Sequence, residues 1–133
     1  MITLQNMLNF PSLLSARNDS WKPLRPEIMS VKKVNDDTTI VTGKTGKHIQ
    51  KIEISGGKTT LASPVKVNCT CESFKFEFAY AVNKYEGLLN PGRFETSLSK
   101  PPKEKNKFSK PSGCKHIIAF SRLLTKRITT LRI

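Results

Sequence analysis

The sequence is poor in acidic residues and has no long apolar run. The 133 residues include ten Asp and Glu and 23 Lys and Arg, which gives a formal net charge of +13. With an excess of this size, the positive side chains repel one another in a compact chain and attract polyanions. No apolar run approaches the roughly 20 residues that a membrane-spanning helix needs, so we expect no membrane partner. The charge favours nucleic acid or an acidic protein surface as the partner.

Cysteine is also scarce, and its number is odd. Three cysteines cannot all pair with one another, and the chain does not open with the basic start, apolar run and cleavage site of a secretory signal. Arg17 is the only cation of the first 18 residues, unlike the Arg-rich pattern of an organelle transit peptide. We therefore expect reduced thiols and a cytoplasmic location.

Apolar residues make up only 37% of the chain, and seven glycines do not raise the total to the roughly 45–50% of ordinary globular domains. A chain of this length can form one domain with a modest core. We therefore expect that something besides apolar burial stabilises the fold.

From Ile28 to Val67, apolar and polar residues alternate in four short runs. Turn signals separate the runs at 35–37, at Gly43 to Gly46 and at 56–57. This pattern predicts a small antiparallel meander of four strands. The segment 42–47 lacks the spacing of a phosphate-binding loop, and we interpret it as a hairpin turn.

The second half of the chain contains two helical patterns around a basic loop. Residues 73–86 fit both a strand and a helix, and their length favours a helix; their aromatic residues could stack on bases, but core packing is the simpler interpretation. Residues 88–113 hold four prolines and six Lys or Arg without periodicity, which indicates a loop. After this loop, a periodic apolar stripe that starts at Ile117 predicts an amphipathic C-terminal helix.

The sequence has two pairs of candidate metal ligands, here called dyads, in which one residue separates the two ligands. They are Cys69-Thr70-Cys71 and Cys114-Lys115-His116. Three thiolates and one imidazole are a ligand set that zinc binds as a closed tetrahedron. Residues two apart in a strand point to the same face, and the second dyad lies where the C-terminal helix begins. We predict one structural zinc ion bound by these four residues. The alternative is three buried, unligated cysteines with an incidental histidine, and His48 is interpreted as an ordinary strand or turn residue.

The two dyads resemble the SWIM zinc finger, which has the pattern Cys-x-Cys, a variable gap, and Cys-x-His leading into a helix. The resemblance covers about Val65 to Leu124, including the strand-like residues before Cys69 and the Ile-Ile-Ala run after His116. A gap of 42 residues separates Cys71 from Cys114, which is longer than usual for that family. The resemblance implies a zinc-binding unit with roles in DNA binding and protein interaction.

These observations together predict the fold class and the domains. The fold is expected to be α+β, with a small antiparallel β-meander followed by a zinc-stapled ββα-like unit and a C-terminal helix. We expect an N-terminal arm with short helices over 1–27 and a single zinc-stabilised domain over 28–133. Within that domain, the SWIM-like unit covers about 63–126 and carries the basic insert 88–113.

The sequence shows no catalytic constellation, since a cysteine nucleophile needs a base and an orienting third group and no suggestive pair of carboxylates is present. We therefore expect a non-enzymatic module that binds nucleic acid, most simply DNA, through phosphate contacts without sequence preference. The alternative is a structural component of a larger assembly, such as a viral or bacteriophage particle. The predicted phosphate contacts are Lys103, Lys105, Lys107, Lys115, Arg122, Lys126 and Arg127.

Overall fold

The computed structural model describes residues 2–9, 23–56, 59–71, 74, 83, 86–89 and 114–131. The elements are β1 (Ile2–Thr3), α1 (Leu4–Asn9), β2 (Glu27–Asn35), β3 (Thr38–Thr45), β4 (His48–Ser55), β5 (Pro64–Cys69) and α2 (Lys115–Leu131). The five strands form one antiparallel sheet in the order β1-β5-β4-β3-β2. The predicted α+β class, the four-stranded meander and the C-terminal helix are confirmed.

Two short turns set the register of the meander. In the turn between β2 and β3, the amide of Asp37 donates a hydrogen bond of 2.8 Å to Oδ1 of Asn35. Between β3 and β4, Thr45 pairs with His48, and Gly46 takes a φ of 61° that favours glycine. The turn is therefore shorter than the predicted stretch from Gly43 to Gly46, because Gly43 lies inside β3.

The core lies between one face of the sheet and the two helices. Residues along β3, β4 and β5 alternate between buried and more exposed, as expected for a sheet covered on one side. Helix α2 packs over these three strands and against α1. The core-forming residues of the sheet and helices include Leu4, Met7, Val41, Ile52, Ile54, Val65, Val67, Ile117, Phe120 and Leu124. The opposite face of the sheet carries exposed lysines.

The N-terminal residues belong to this core. Ile2 pairs with Val65 of β5, and the amide of Leu4 donates to the carbonyl of Ser63. Thr3 and Asn6 exchange side-chain to backbone hydrogen bonds at the start of α1, which satisfies two helix-end amide groups. Residues 2–9 of the expected arm thus add a strand and a helix to the sheet, while residues 10–22 lie outside the described part.

Two other expected segments lie mostly outside the described residues. Of the helix expected over 73–86, the structure describes Phe74, Asn83 and Glu86, and Phe74 is fully buried in the core. Of the loop expected over 88–113, it describes residues 88 and 89. The backbone here runs beside β5, because the amide of Val67 donates to Gly87 and the carbonyl of Val67 accepts from Leu89.

We predict that Gly43→Ala destabilises the fold. A methyl group at Gly43 would overlap the ring of Phe120, which is fully buried. Overpacking of this kind costs about 1–3 kcal/mol, measurable by denaturant unfolding. The adjacent exposed Lys44→Ala should change stability by less than about 0.5 kcal/mol. In a Phe120→Leu background the cost of the added methyl should shrink, and an equal cost in both backgrounds would contradict the contact.

Candidate metal centre

Strand β5 delivers the first pair of cysteines to the core face of the sheet. Val65, Val67 and Cys69 alternate with residues of the opposite face, and all three are buried. Beyond the end of β5, the amide of Thr70 donates to the carbonyl of Ile49, and the Thr70 hydroxyl accepts from the Ile49 amide. These two bonds hold the chain against β4, so Cys71 reaches the same buried side as Cys69.

The first turn of α2 delivers the second pair. Cys114 directly precedes the helix, and its carbonyl accepts the first helical hydrogen bond, from the amide of Ile118 at 3.0 Å. His116 is the second residue of the helix. Sγ of Cys114 lies 3.8 Å from Nδ1 of His116, so the dyad converges despite the residue between its two members.

The four side chains form one buried cluster. Cys69, Cys71, Cys114 and His116 are each less than one tenth exposed, and their ligand atoms all lie within 4.8 Å of one another. Ligands bound at about 2.0–2.3 Å in a tetrahedron stand roughly 3.5–3.8 Å apart, so a small contraction would bring the cluster to bonding distance. The arrangement could hold a metal ion without any change of backbone topology.

The three cysteines form no disulfide bond, and each thiol shifts the pKa of its neighbours. Hydrogen bonds with Cys114 and with Cys69 lower the pKa of Cys71 far below that of a free thiol. For Cys69, the bond with Cys114 favours the thiolate, but the bond and charge of Cys71 together with burial raise the pKa to about 11. Burial, followed by bonds with the other two thiols, raises the pKa of Cys114 well above its usual value. A divalent cation bound in the cluster would supply positive charge that favours ionisation of all three thiols.

Donors surround the sulfur atoms of the cluster. The amide of Phe74 donates to Sγ of Cys71 at 3.3 Å, and the side-chain amide of Gln50 donates to Sγ of Cys69 at 3.5 Å. Cys114 stands at the amino end of α2, where the helix dipole favours a negative charge. Cys69 and Cys71 thus each accept a hydrogen bond that favours the thiolate.

Strand β4 supplies two neighbours of the site that the sequence did not reveal. Gln50 pairs with Cys69 in the sheet, and the ring of His48 lies 4.7 Å from the ring of His116, tilted by 50°. The alternation of β4 does place positions 48 and 50 on one face. Its pairing with β5, which puts them beside the cysteines, is a long-range contact that no local pattern carries.

Four of the seven predicted phosphate contacts lie on α2. Lys115, Lys126 and Arg127 of α2 are exposed, and Arg122 is half-buried with its Nε atom buried. Lys103, Lys105 and Lys107 lie outside the described residues. The described part therefore contributes one basic helix to the expected interface.

Comparison with family models, with curated proteins and with solved structures gave no match to this chain. No helix among the described residues is long and apolar enough to cross a membrane. We therefore infer function from the geometry of the site and from the charge of the elements around it.

Two histidines provide a matched test of the site. We predict that the purified protein binds one equivalent of divalent metal, that His116→Ala loses it or binds it far more weakly, and that His48→Ala retains it. The reason is that the ligand nitrogen of His116 lies within the cluster of sulfurs, whereas His48 is not a member of the cluster and lies against the ring of His116. Elemental analysis and thermal melting with and without a chelator would measure this. Equal metal contents in the two variants would contradict the assignment.

Proposed function

We propose that this chain is a non-enzymatic zinc-binding module of the SWIM type that binds nucleic acid phosphates through α2, in the cytoplasm. The observation that carries the proposal is the position of the cluster: two of its four residues lie at the very start of the most basic described helix. The helix spans Lys115 to Leu131 and has four cations and no acid. A metal that fixes the start of this helix would also fix the direction of its charges.

Zinc is the ion that best suits the donor set. Three thiolates and one imidazole are soft or borderline ligands, and they are typical of structural zinc sites with all four positions filled by protein. The cluster is buried, so no open position faces a substrate. A site of this kind stabilises the fold and performs no catalysis.

Three of the four cations of α2 lie near one line along the helix. Arg122 and Lys126 follow Lys115 by 7 and 11 residues, which at 3.6 residues per turn places each within about 20° of Lys115 around the axis. Lys115 and Lys126 are roughly 16 Å apart along the axis, and Arg127 lies about 100° around the helix from Lys126. A line of cations without acids fits the phosphate backbone, and lysines at this spacing carry no base-reading geometry.

We predict salt-sensitive binding to a 20-base-pair DNA duplex, measured by fluorescence anisotropy between 50 and 200 mM salt. The variant Lys115→Gln/Lys126→Gln/Arg127→Gln should weaken binding and reduce the slope of log affinity against log salt by about 2–3, because each lost phosphate contact removes about 0.9. Removal of the metal with a chelator should weaken binding as well, because the helix would lose its fixed start.

A matched control exists on the opposite side of the sheet. Lys44, Lys51 and Lys66 are exposed on the face away from α2, and the variant Lys44→Gln/Lys51→Gln/Lys66→Gln removes the same charge of three. The proposal expects this control to retain most of the affinity and the salt slope. Equal losses in the two variants would show that only net charge matters, and undetectable binding at low salt would exclude the function.

A second candidate is a structural role in a larger assembly, such as a viral particle, and one observation favours it. Strand β2 is an edge strand that pairs only with β3 in the described sheet. Its residues Met29, Val31 and Val34 are 57%, 43% and 51% exposed. Exposed apolar residues on an open strand are a common means of joining another chain.

For this second candidate we predict association that increases with protein concentration, measured by light scattering after size exclusion. The variant Val31→Lys should reduce the association, because a third lysine joins Lys32 and Lys33 on the open edge. Lys44→Gln serves as a control on the neighbouring strand. A strict monomer at all concentrations, which binds DNA as above, would favour the first candidate.

A further inference from the structure

The side chain of Gln50 is a fully buried polar group beside the metal centre. It lies on the core face of β4, directly opposite Cys69 in the antiparallel register. Its Nε2 atom donates a hydrogen bond to Sγ of Cys69 at 3.5 Å. A buried amide needs partners for its donor and its acceptor, since an unpaired polar group inside a protein is costly. The sulfur is the partner of the donor.

Thr45 fixes which end of the amide faces the sulfur. The hydroxyl of Thr45 donates to Oε1 of Gln50 at 2.7 Å, and both residues are buried. With its oxygen occupied in this way, the amide presents its NH₂ group to Cys69. A short chain from Thr45 through Gln50 to Cys69 thus links β3, β4 and β5.

The hydrogen bonds from Thr45 through Gln50 to Cys69 would stabilise the negative charge of a metal-bound site. Three thiolates around one divalent ion leave a net charge of about −1 in a buried place, and such a charge needs donors around it. Cys71 accepts a hydrogen bond from the backbone amide of Phe74, and Cys114 stands at the amino end of α2, where the helix dipole favours a negative charge. Cys69 accepts from the side chain of Gln50, and a substitution can remove this donor directly.

We propose that Gln50 is a positioning residue of the metal centre, which orients the Cys69 sulfur and stabilises its thiolate when the ion is bound. This inference rests on the proposed zinc site. Thr45 does not contact the sulfur through this hydrogen bond but orients the amide of Gln50 by donating to its Oε1 atom. Partners of metal ligands at this distance typically change metal affinity by about 10–100-fold when they are replaced.

Three substitutions in the full chain test the role. Gln50→Leu keeps the bulk of the side chain and removes the donor, so zinc affinity, measured by competition with a chromophoric chelator, should fall by about 10–100-fold. Gln50→Glu places a carboxylate beside the thiolate and should cost more. Thr45→Val keeps the shape and frees the amide to rotate, so it should cost less, in the same direction. With cobalt(II) in place of zinc, the thiolate-to-cobalt absorption band should shift in all three variants.

Ile52→Val is the matched control. Ile52 is the next buried residue on the same face of β4, pairs with Val67 rather than with a cysteine, and has no hydrogen-bond donor in its side chain, so its shortening should weaken the fold and leave the cobalt band unchanged. A parent protein that takes up no zinc would overturn the site itself. A parent that binds one zinc ion, with Gln50→Leu equal to Ile52→Val in affinity and band position, would overturn only the role of Gln50. If Gln50→Leu fails to fold, Thr45→Val decides by the same two measurements.

Discussion

The junction between the end of β5 and the start of α2 is the constraint on which the rest of the structure depends. Cys69 and Cys71 come from the strand, Cys114 and His116 come from the helix, and their ligand atoms meet within 4.8 Å. The two pairs are separated by 42 residues, and closing a flexible loop of that length costs about 3 kcal/mol. A structural zinc contributes roughly 10–16 kcal/mol in small finger peptides. The coordination of one ion would therefore offset the closure several times over in a chain with a modest apolar core.

The cluster also explains why polar residues are buried next to the apolar core. Thr45 and Gln50 lie on the same face as Val41 and Ile52. Their hydrogen bonds end at the sulfur of Cys69. The core face thus carries a buried polar pair beside the cluster, next to apolar residues such as Val41 and Ile52.

The two faces and the edge of the sheet have different chemical characters. The core face carries the candidate metal centre and α2, whose Lys115, Lys126 and Arg127 are exposed. The outer face carries lysines, and the exposed residues of β2 form one edge. Two irregularities interrupt the pairing of β2 with β3, at Ile28/Ser30 and at Lys33/Asn35. Such bulges and edge lysines limit indiscriminate strand pairing, so a partner at this edge would have to fit a twisted strand.

The sequence by itself determined four of the five strands, the C-terminal helix and the composition of the ligand cluster, because each of these depends on local spacing. The alternation of apolar and polar residues predicted β2 to β5, and the apolar stripe from Ile117 predicted α2. The spacing of the two dyads predicted the four ligand residues. Only the tertiary structure decided that Ile2 and Leu4 join the core, that Gly43 makes room for Phe120, and that His48 and Gln50 stand beside the cysteines. The physical reason is that these contacts join residues far apart in the chain. They depend on which strands pair and on how α2 crosses the sheet, and a local pattern of apolar and polar residues contains neither.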